Sequence, residues 1–214
     1  MKLFTVAIGT QYHLESERLV RSLNQPIEIF KENNQLYEVK SEDPLINGLY
    51  HKSNFANYIT DAQTGQPVVF MDADMFTLSE NPFAEFSVPN NADIAYVPYE
   101  GRWWLPDEIR QSAFDFHGHK INSGFLYFKN LEVAKTVCNQ WQYEYLEREK
   151  LYDVEKGTSK YEYDEWALMI ALQKLNLSAH ILDKKWNEWE LNSEADIRNS
   201  NSIFFQSHYF LDIL

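Results

Sequence analysis

Cysteine is nearly absent from this chain of 214 residues: Cys138 stands alone. That excludes an internal disulfide and a cysteine-rich zinc site, and it fits a reducing compartment. Basic residues are also scarce, with 19 Lys and Arg against 32 Asp and Glu and a formal net charge of −13. Such a balance argues against nucleic-acid binding, whose affinity rests on basic contacts to phosphate. It argues equally against docking by charge on an anionic membrane. A phosphate-bearing ligand would need a positive group to offset the carboxylates, and a divalent metal is the economical one. The seven glycines form neither a GxGxxG nor a Walker pattern, so a nucleotide here would be held through metal and side chains. No apolar run is long enough to span a bilayer. Met1–Thr10 has one lysine and a short apolar run with no small-residue cleavage pattern after it, and reads as a first strand rather than a signal peptide. A cytoplasmic location is the expectation.

What is present is ordinary globular composition, 44% hydrophobic and 24% charged, with aromatics at 15%. This suffices for a core with a surplus for a ligand surface. Apolar patterning predicts strands at 3–8, from Pro26 (Ile27, Ile29, Phe30), at 68–71, 94–97, 125–128, 179–182 and 203–205. Helices are predicted at 14–23, at 54–63 and from Asp164 to Leu175. A longer one carries Val133, Val137, Trp141 and Tyr145 at four-residue spacing. The segment 99–120, with Trp103 and Trp104, is irregular, and 156–159 reads as a loop. Strands interleaved with helices imply an α/β fold with a mostly parallel sheet. No linker interrupts it, so 1–214 reads as one domain.

The strongest chemical signal is Asp72-Ala73-Asp74, directly after the apolar run Val68-Val69-Phe70-Met71. A run of that kind is a strand buried on both faces. In an open α/β sheet the ligand crevice lies beyond the carboxyl ends of the strands, where these acids emerge. Residues two apart in extended chain point the same way, so both carboxylates can face one ion. Hard oxygen ligands suit Mg²⁺ or Mn²⁺. The bland alternative is a solvated turn with two acids. A phosphohydrolase of the haloacid-dehalogenase type also uses two Asp at this spacing, but it wants Thr or Val at the position of Phe76 and places the motif on the first strand.

The order of segments carries more. Ala7-Ile8-Gly9-Thr10-Gln11-Tyr12, Tyr50-His51-Lys52, Val68 to Asp74, Ile121 to Phe128, Tyr163 to Ala167, Lys185-Trp186-Asn187 and His208 follow one another. Taken together they resemble GT-A-fold glycosyltransferases. The likeness is to nucleotide-sugar-dependent families related to glycogenin and to bacterial lipooligosaccharide galactosyltransferases, and it covers nearly the whole chain. It implies a GT-A-like α/β domain with a mostly parallel mixed sheet flanked by helices. It also implies sugar transfer from a nucleotide diphosphate sugar, UDP-linked, to a carbohydrate or other hydroxyl acceptor.

By the same resemblance, Asp72, Asp74 and the late His208 hold Mn²⁺ or Mg²⁺ on the donor diphosphate. Gly9, Thr10 and Tyr12 form the wall for the base, and Asn122, Ser123 and Gly124 contact the donor sugar. Asp164 and Glu165 lie at the head of a helix beside the reacting carbon. The chain departs from the family by ending at Leu214, soon after His208, without the usual glycine- and lysine-containing segment. Lys52 or the metal alone then grips the diphosphate, or activity is weakened to that of a sugar- or nucleotide-binding domain. Each residue also has a plainer reading. Asp164 can cap its helix, His208 and Tyr12 can be packed rings, Lys52 can be solvated, and Asn122–Gly124 can be a turn before a strand. His117-Gly118-His119 lacks a second ligand cluster and reads as loop. Trp103, Trp104, Trp186 and Trp189 suit either sugar stacking or the core.

Overall fold

The computed structural model describes residues 1–32, 44–60, 65–99, 119–149, 163–188 and 193–206. Its organising strand is β1 (Lys2–Ala7), which pairs in parallel with β2 (Ile27–Lys31) on one side and with β3 (Val68–Met71) on the other. Beyond β3 come β6 (Lys120–Phe128), β5 (Ile94–Tyr99) and β7 (Ala179–Ile181), giving the order β2-β1-β3-β6-β5-β7. The strand β6 is antiparallel to both neighbours, and β7 is parallel to β5. All strands of this sheet except β6 therefore point the same way. Their carboxyl ends share one edge with the start of β6.

Alternation along β1 assigns the two faces. Phe4, Val6 and Ile8 pack with Phe30, Phe55 and Phe70 under α3 (Leu131–Glu149) and α4 (Tyr163–Leu175), while α2 (Pro44–Lys52) lays Leu49 and Tyr50 on the same cluster. Leu3, Val69, Met71 and Phe125 face the other way, toward Leu19 of α1 (Thr10–Ser22), Trp186 and Phe204. Two layers thus cover both faces of the sheet, as continuous apolar runs such as Val68–Met71 require. A two-stranded ladder, β4 (Met75–Phe76) with β8 (Phe205–Gln206), closes the C-terminal segment onto the chain just after Asp74. A short helix α5 (Glu194–Asn199) precedes it, capped by the Ser193 side chain. None of the described helices is long and apolar enough to cross a membrane.

The predicted α/β architecture, its mostly parallel mixed sheet and its flanking helices are all present. Differences are local. The helix expected at 14–23 starts at Thr10, because Gly9 leaves β1 at φ 89°, a region that favours glycine. The expected helix at 54–63 contracts to a 3₁₀ turn at Phe55–Tyr58. Its apolar residues fill the core regardless, since Phe55 and Tyr58 are buried. The helix α2 was not expected, because its mixture of Pro44, Asn47 and Gly48 carries little periodic signal. The strand expected at 125–128 begins five residues earlier, at Lys120.

The stripe on α3 packs as predicted: Val137, Trp141 and Tyr145 are buried and Val133 is partly so. Cys138 lies on the same face with no exposed surface, and burial pushes its thiol up to about 12. Thiolate is the reactive species. Native protein should therefore resist iodoacetamide at pH 8, with modification at Cys138 appearing only as the chain unfolds in urea. Rapid labelling without denaturant would contradict the packing of α3 on the sheet.

Candidate active site

The acids Asp72 and Asp74 leave β3 at the edge where the aligned strands end. Asp72 donates its main-chain N–H to the Gly124 carbonyl at 2.8 Å. Asp74 is held from below by Arg18 of α1, whose Nη2 donates to the Asp74 carbonyl at 2.7 Å while the guanidinium lies 4.3 Å over Phe76. The two carboxylates converge on one atom. Nε2 of Gln206 donates to Asp72 Oδ2 at 3.1 Å and to Asp74 Oδ1 at 3.2 Å.

Lys52, the last residue of α2, joins this pair to a third acid. Its ammonium lies 2.8 Å from Asp72 Oδ1 and 2.9 Å from Oδ2, and 3.2 Å from Asp164 Oδ2. Lys52 is 8% exposed and Asp164 2%. Burial opposes the charge of Lys52, yet Asp72 and Asp164 overcome it and hold the pKa above the ordinary lysine range. Burial pushes Asp72 up to about 6, with Lys52 pulling it down and Asp74 adding to the rise.

Asp164 sits in the first turn of α4, and its carboxylate is turned to partners outside that helix. The Ser123 hydroxyl donates to its Oδ2 at 3.0 Å, and Trp141 Nε1 donates to its main-chain carbonyl at 2.6 Å. Glu165 lies beside it. Its Oε2 is 2.9 Å from Lys120 Nζ, and its Oε1 accepts the Ser123 N–H at 3.4 Å. Burial raises Glu165 to about 6, countered by Lys120 and reinforced by Asp164. Asp72, Asp164 and Glu165 thus gather around the ammonium groups of Lys52 and Lys120, and the upward shifts of Asp72 and Glu165 come first from burial.

Asn122-Ser123-Gly124 lies inside β6 rather than before it. Tyr96 of β5 pairs with Leu126, while the next residue, Val97, pairs with Asn122. β6 therefore bulges away from β5 at Ser123–Phe125, as strands often do beside functional sites. The released groups bond locally. Asn122 Oδ1 accepts from the Gly124 N–H and from Asn187 Nδ2, both at 2.8 Å, and Ser123 reaches α4. These side chains position their neighbours.

At the far side of the edge, the Gly9 N–H donates to Glu32 Oε1 at 3.1 Å, and Glu32 also meets His13 Nε2 at 2.8 Å. Thr10 opens α1 in an exposed position, and Tyr12 is half-buried in its first turn. Burial raises the Tyr12 hydroxyl to about 12, with further contributions from Asp74, Glu15 and Asp72. Tyr12 thus borders the acid pair.

His208, His117, Trp103, Trp104 and Trp189 lie outside the described residues. Among the described residues, no three His, Cys, Asp or Glu side chains form a metal-holding group. The hard-oxygen pair Asp72 and Asp74 nevertheless suits Mg²⁺ or Mn²⁺, and a hydrogen-bond donor already bridges it. Trp186 packs among Phe83, Phe86, Phe125 and Phe204, which makes it a core ring. His119 bonds the Tyr96 hydroxyl at 3.2 Å. Sequence reasoning assigned no role to Arg18, Lys120, Asn187 or Gln206. Asn187 lay in a matched segment, and the other three carried no pattern.

No protein-family model matches the chain, and no curated protein matches it by sequence. Solved structures do match. The apo crystal structure of mouse xyloside xylosyltransferase 1 aligns over 100% of this chain and 99% of its own, with TM-score 0.51 and 11% identity. The apo structure of the bifunctional glycosyltransferase WbbM aligns over 96% of this chain and 45% of its own, with TM-score 0.55 and 11% identity. The fold is a GT-A-like glycosyltransferase fold. At this identity the likeness establishes the fold, and the site must carry the chemistry. In the GT-A-like fold of this chain, Asp72, Asp74, Lys52 and Asp164 gather at the carboxyl edge of the sheet.

Lys52 gives a direct test of the cluster. Lys52→Met leaves Asp72 and Asp164 without their shared cation, and breaking a buried pair from one side costs roughly 3 kcal/mol or more. Urea unfolding at pH 7.5 should show that loss, with part recovered when Asp72→Asn is added. A Lys52→Met protein as stable as the parent would show that the two acids do not depend on this cation.

Proposed function

We propose that this protein transfers a sugar from a nucleotide diphosphate sugar, UDP-linked, to a hydroxyl acceptor with the help of a divalent metal ion. The observation that carries this reading is the pairing of Asp72 and Asp74 at the exit of β3, joined through Lys52 to Asp164. The reaction breaks the bond between the anomeric carbon and the diphosphate oxygen and forms one to the acceptor oxygen. The electron pair leaves with the diphosphate, and the acceptor proton passes to Asp164 in an inverting course or to the departing diphosphate in a retaining one. Asp72 and Asp74 would hold the ion, with His208 added by the order of motifs. Bound there, the ion would offset charge growing on the leaving diphosphate.

The chain's own groups do the rest. Tyr12, Gly9 and Thr10 flank the edge at which a base would lie. Ser123 and Lys52 fix Asp164, and Lys120 fixes Glu165, so a carboxylate pair is held still for a donor bound across the edge. Lys52 is committed to Asp72 and Asp164, so the diphosphate falls chiefly to the ion. Asp164 would stabilise positive charge at the anomeric carbon in a retaining reaction, the course favoured by the resemblance. In an inverting one it would accept the acceptor's proton. The anomeric configuration of the product decides between them.

Asp72→Asn and Asp74→Asn should each lower Mn²⁺-dependent hydrolysis of the UDP-sugar by about 100-fold or more, with circular dichroism unchanged. Turnover equal to the parent's would reject the metal role. For Asp164→Asn, kcat should fall by roughly 100-fold while donor KM changes little. A loss confined to KM would make Asp164 a binding residue. UDP binding with Mn²⁺ in calorimetry, without turnover on a panel of UDP-sugars, would instead identify a nucleotide-sugar-binding domain.

A further inference from the structure

Gln206 occupies the point between the two acids, although nothing in the order of motifs marks it. We propose that Gln206 is itself a ligand of the divalent ion. Its side-chain amide turns over on binding, so that Oε1 replaces Nε2 beside Asp72 and Asp74. This rests on the metal-dependent reading above.

Three observations lead there. First, Nε2 lies 3.1 Å from Asp72 Oδ2 and 3.2 Å from Asp74 Oδ1, so a single position is within reach of both carboxylates. A donor N–H₂ group stands where a cation held by both would be approached. It cannot keep facing a cation, whereas the amide oxygen is a hard ligand of the kind Mn²⁺ and Mg²⁺ accept.

Second, the backbone beneath Gln206 is fixed. It pairs with Met75 in the β4–β8 ladder, and its main-chain N–H donates to the Glu188 carbonyl at 2.9 Å. The terminal torsion of a Gln side chain is broad and roughly two-fold, so oxygen and nitrogen can exchange places without moving the strand.

Third, the other side of the amide lies against Gly124. A Cβ on Gly124 would stand 2.7 Å from Gln206 Oε1 and 2.6 Å from Asn187 Nδ2, so glycine alone leaves room for both amides. Asn187 is 1% exposed, and its Oδ1 has no hydrogen-bond partner among the described residues. Gly124 and the Asn187 side chain thus line the far side of the Gln206 amide.

A simple lock would act in the opposite sense. If Gln206 only held the acids together without the ion, it would compete with the ion, and its removal would tighten binding. The test is Mn²⁺ affinity of the purified full chain without nucleotide, read from the free-ion electron paramagnetic resonance signal and by calorimetry. Gln206→Leu and the closer-shaped Gln206→Met should each weaken Mn²⁺ binding by about tenfold or more. Gln206→Glu, which keeps an oxygen, should bind at least as tightly as the parent. Unchanged or tighter binding in the Leu and Met variants, with Asp72→Asn abolishing it, would overturn the role of Gln206 and leave the acid pair standing. Parent-like binding by Asp72→Asn, or none by the parent, would overturn the acid-pair reading and this inference with it.

Discussion

The structure turns on one buried cation. Lys52 sits within 3.2 Å of carboxylates from two parts of the fold, Asp72 at the end of β3 and Asp164 at the head of α4. Neither acid is well placed without it. Asp72 neighbours Asp74, and Asp164 neighbours Glu165, so each would sit beside a like charge with reduced access to water. An ion pair of this kind contributes little net stability by comparison with apolar packing, because desolvation offsets most of the attraction. Its value is in register: it ties the exit of β3 to the start of α4, which packs on β6.

β6 makes that register possible by breaking a rule of the sheet. Running against the other described strands of the sheet, it starts at the edge where they end, so its first residues meet the acids. The bulge against β5 then removes Ser123 and Gly124 from ordinary pairing. Successive residues point to opposite faces, and the work divides accordingly. Ser123 turns to Asp164 and Glu165, while Asn122 turns to Gly124 and Asn187. A regular ladder at this position would have drawn main-chain groups of Ser123 and Gly124 to β5, whereas here their N–H groups donate to Glu165 and Asn122.

Much of this was legible in the chain, for reasons that can be stated. Val68–Met71 announced a strand buried on both faces because no polar residue interrupts it, and the acids after it could emerge only at the carboxyl edge. The stripe Val133–Tyr145 announced α3 because helical spacing survives in the sequence. Gln206 and Arg18 were not legible, because a single polar residue on a strand or helix has no periodicity to betray its partner. The bulge was hidden for a similar reason: Asn-Ser-Gly reads as a turn unless the neighbouring strands hold it in line. Lys52 was legible as a charge but not as a bridge, since its partners lie 20 residues away at Asp72 and far beyond that at Asp164.

The arrival of Gln206 at the acids is a consequence of aromatic packing. Phe204 is fully buried among Phe83, Phe125 and Trp186, with ring centroids at 5.2, 5.7 and 6.3 Å. Phe205 faces the other way and stacks on Phe76 at 5.5 Å. Between them these two rings fix both the position and the facing of the strand. The main chain of Glu188 secures it further, donating to the Phe204 carbonyl and accepting from Gln206 N–H. The next residue has no freedom to leave the site. The amide at 206 meets both carboxylates, donating through its nitrogen to each. Apolar contacts beside the acids thus hold the strand that carries the Gln206 amide, and a change in the rings would be felt at Asp72 and Asp74.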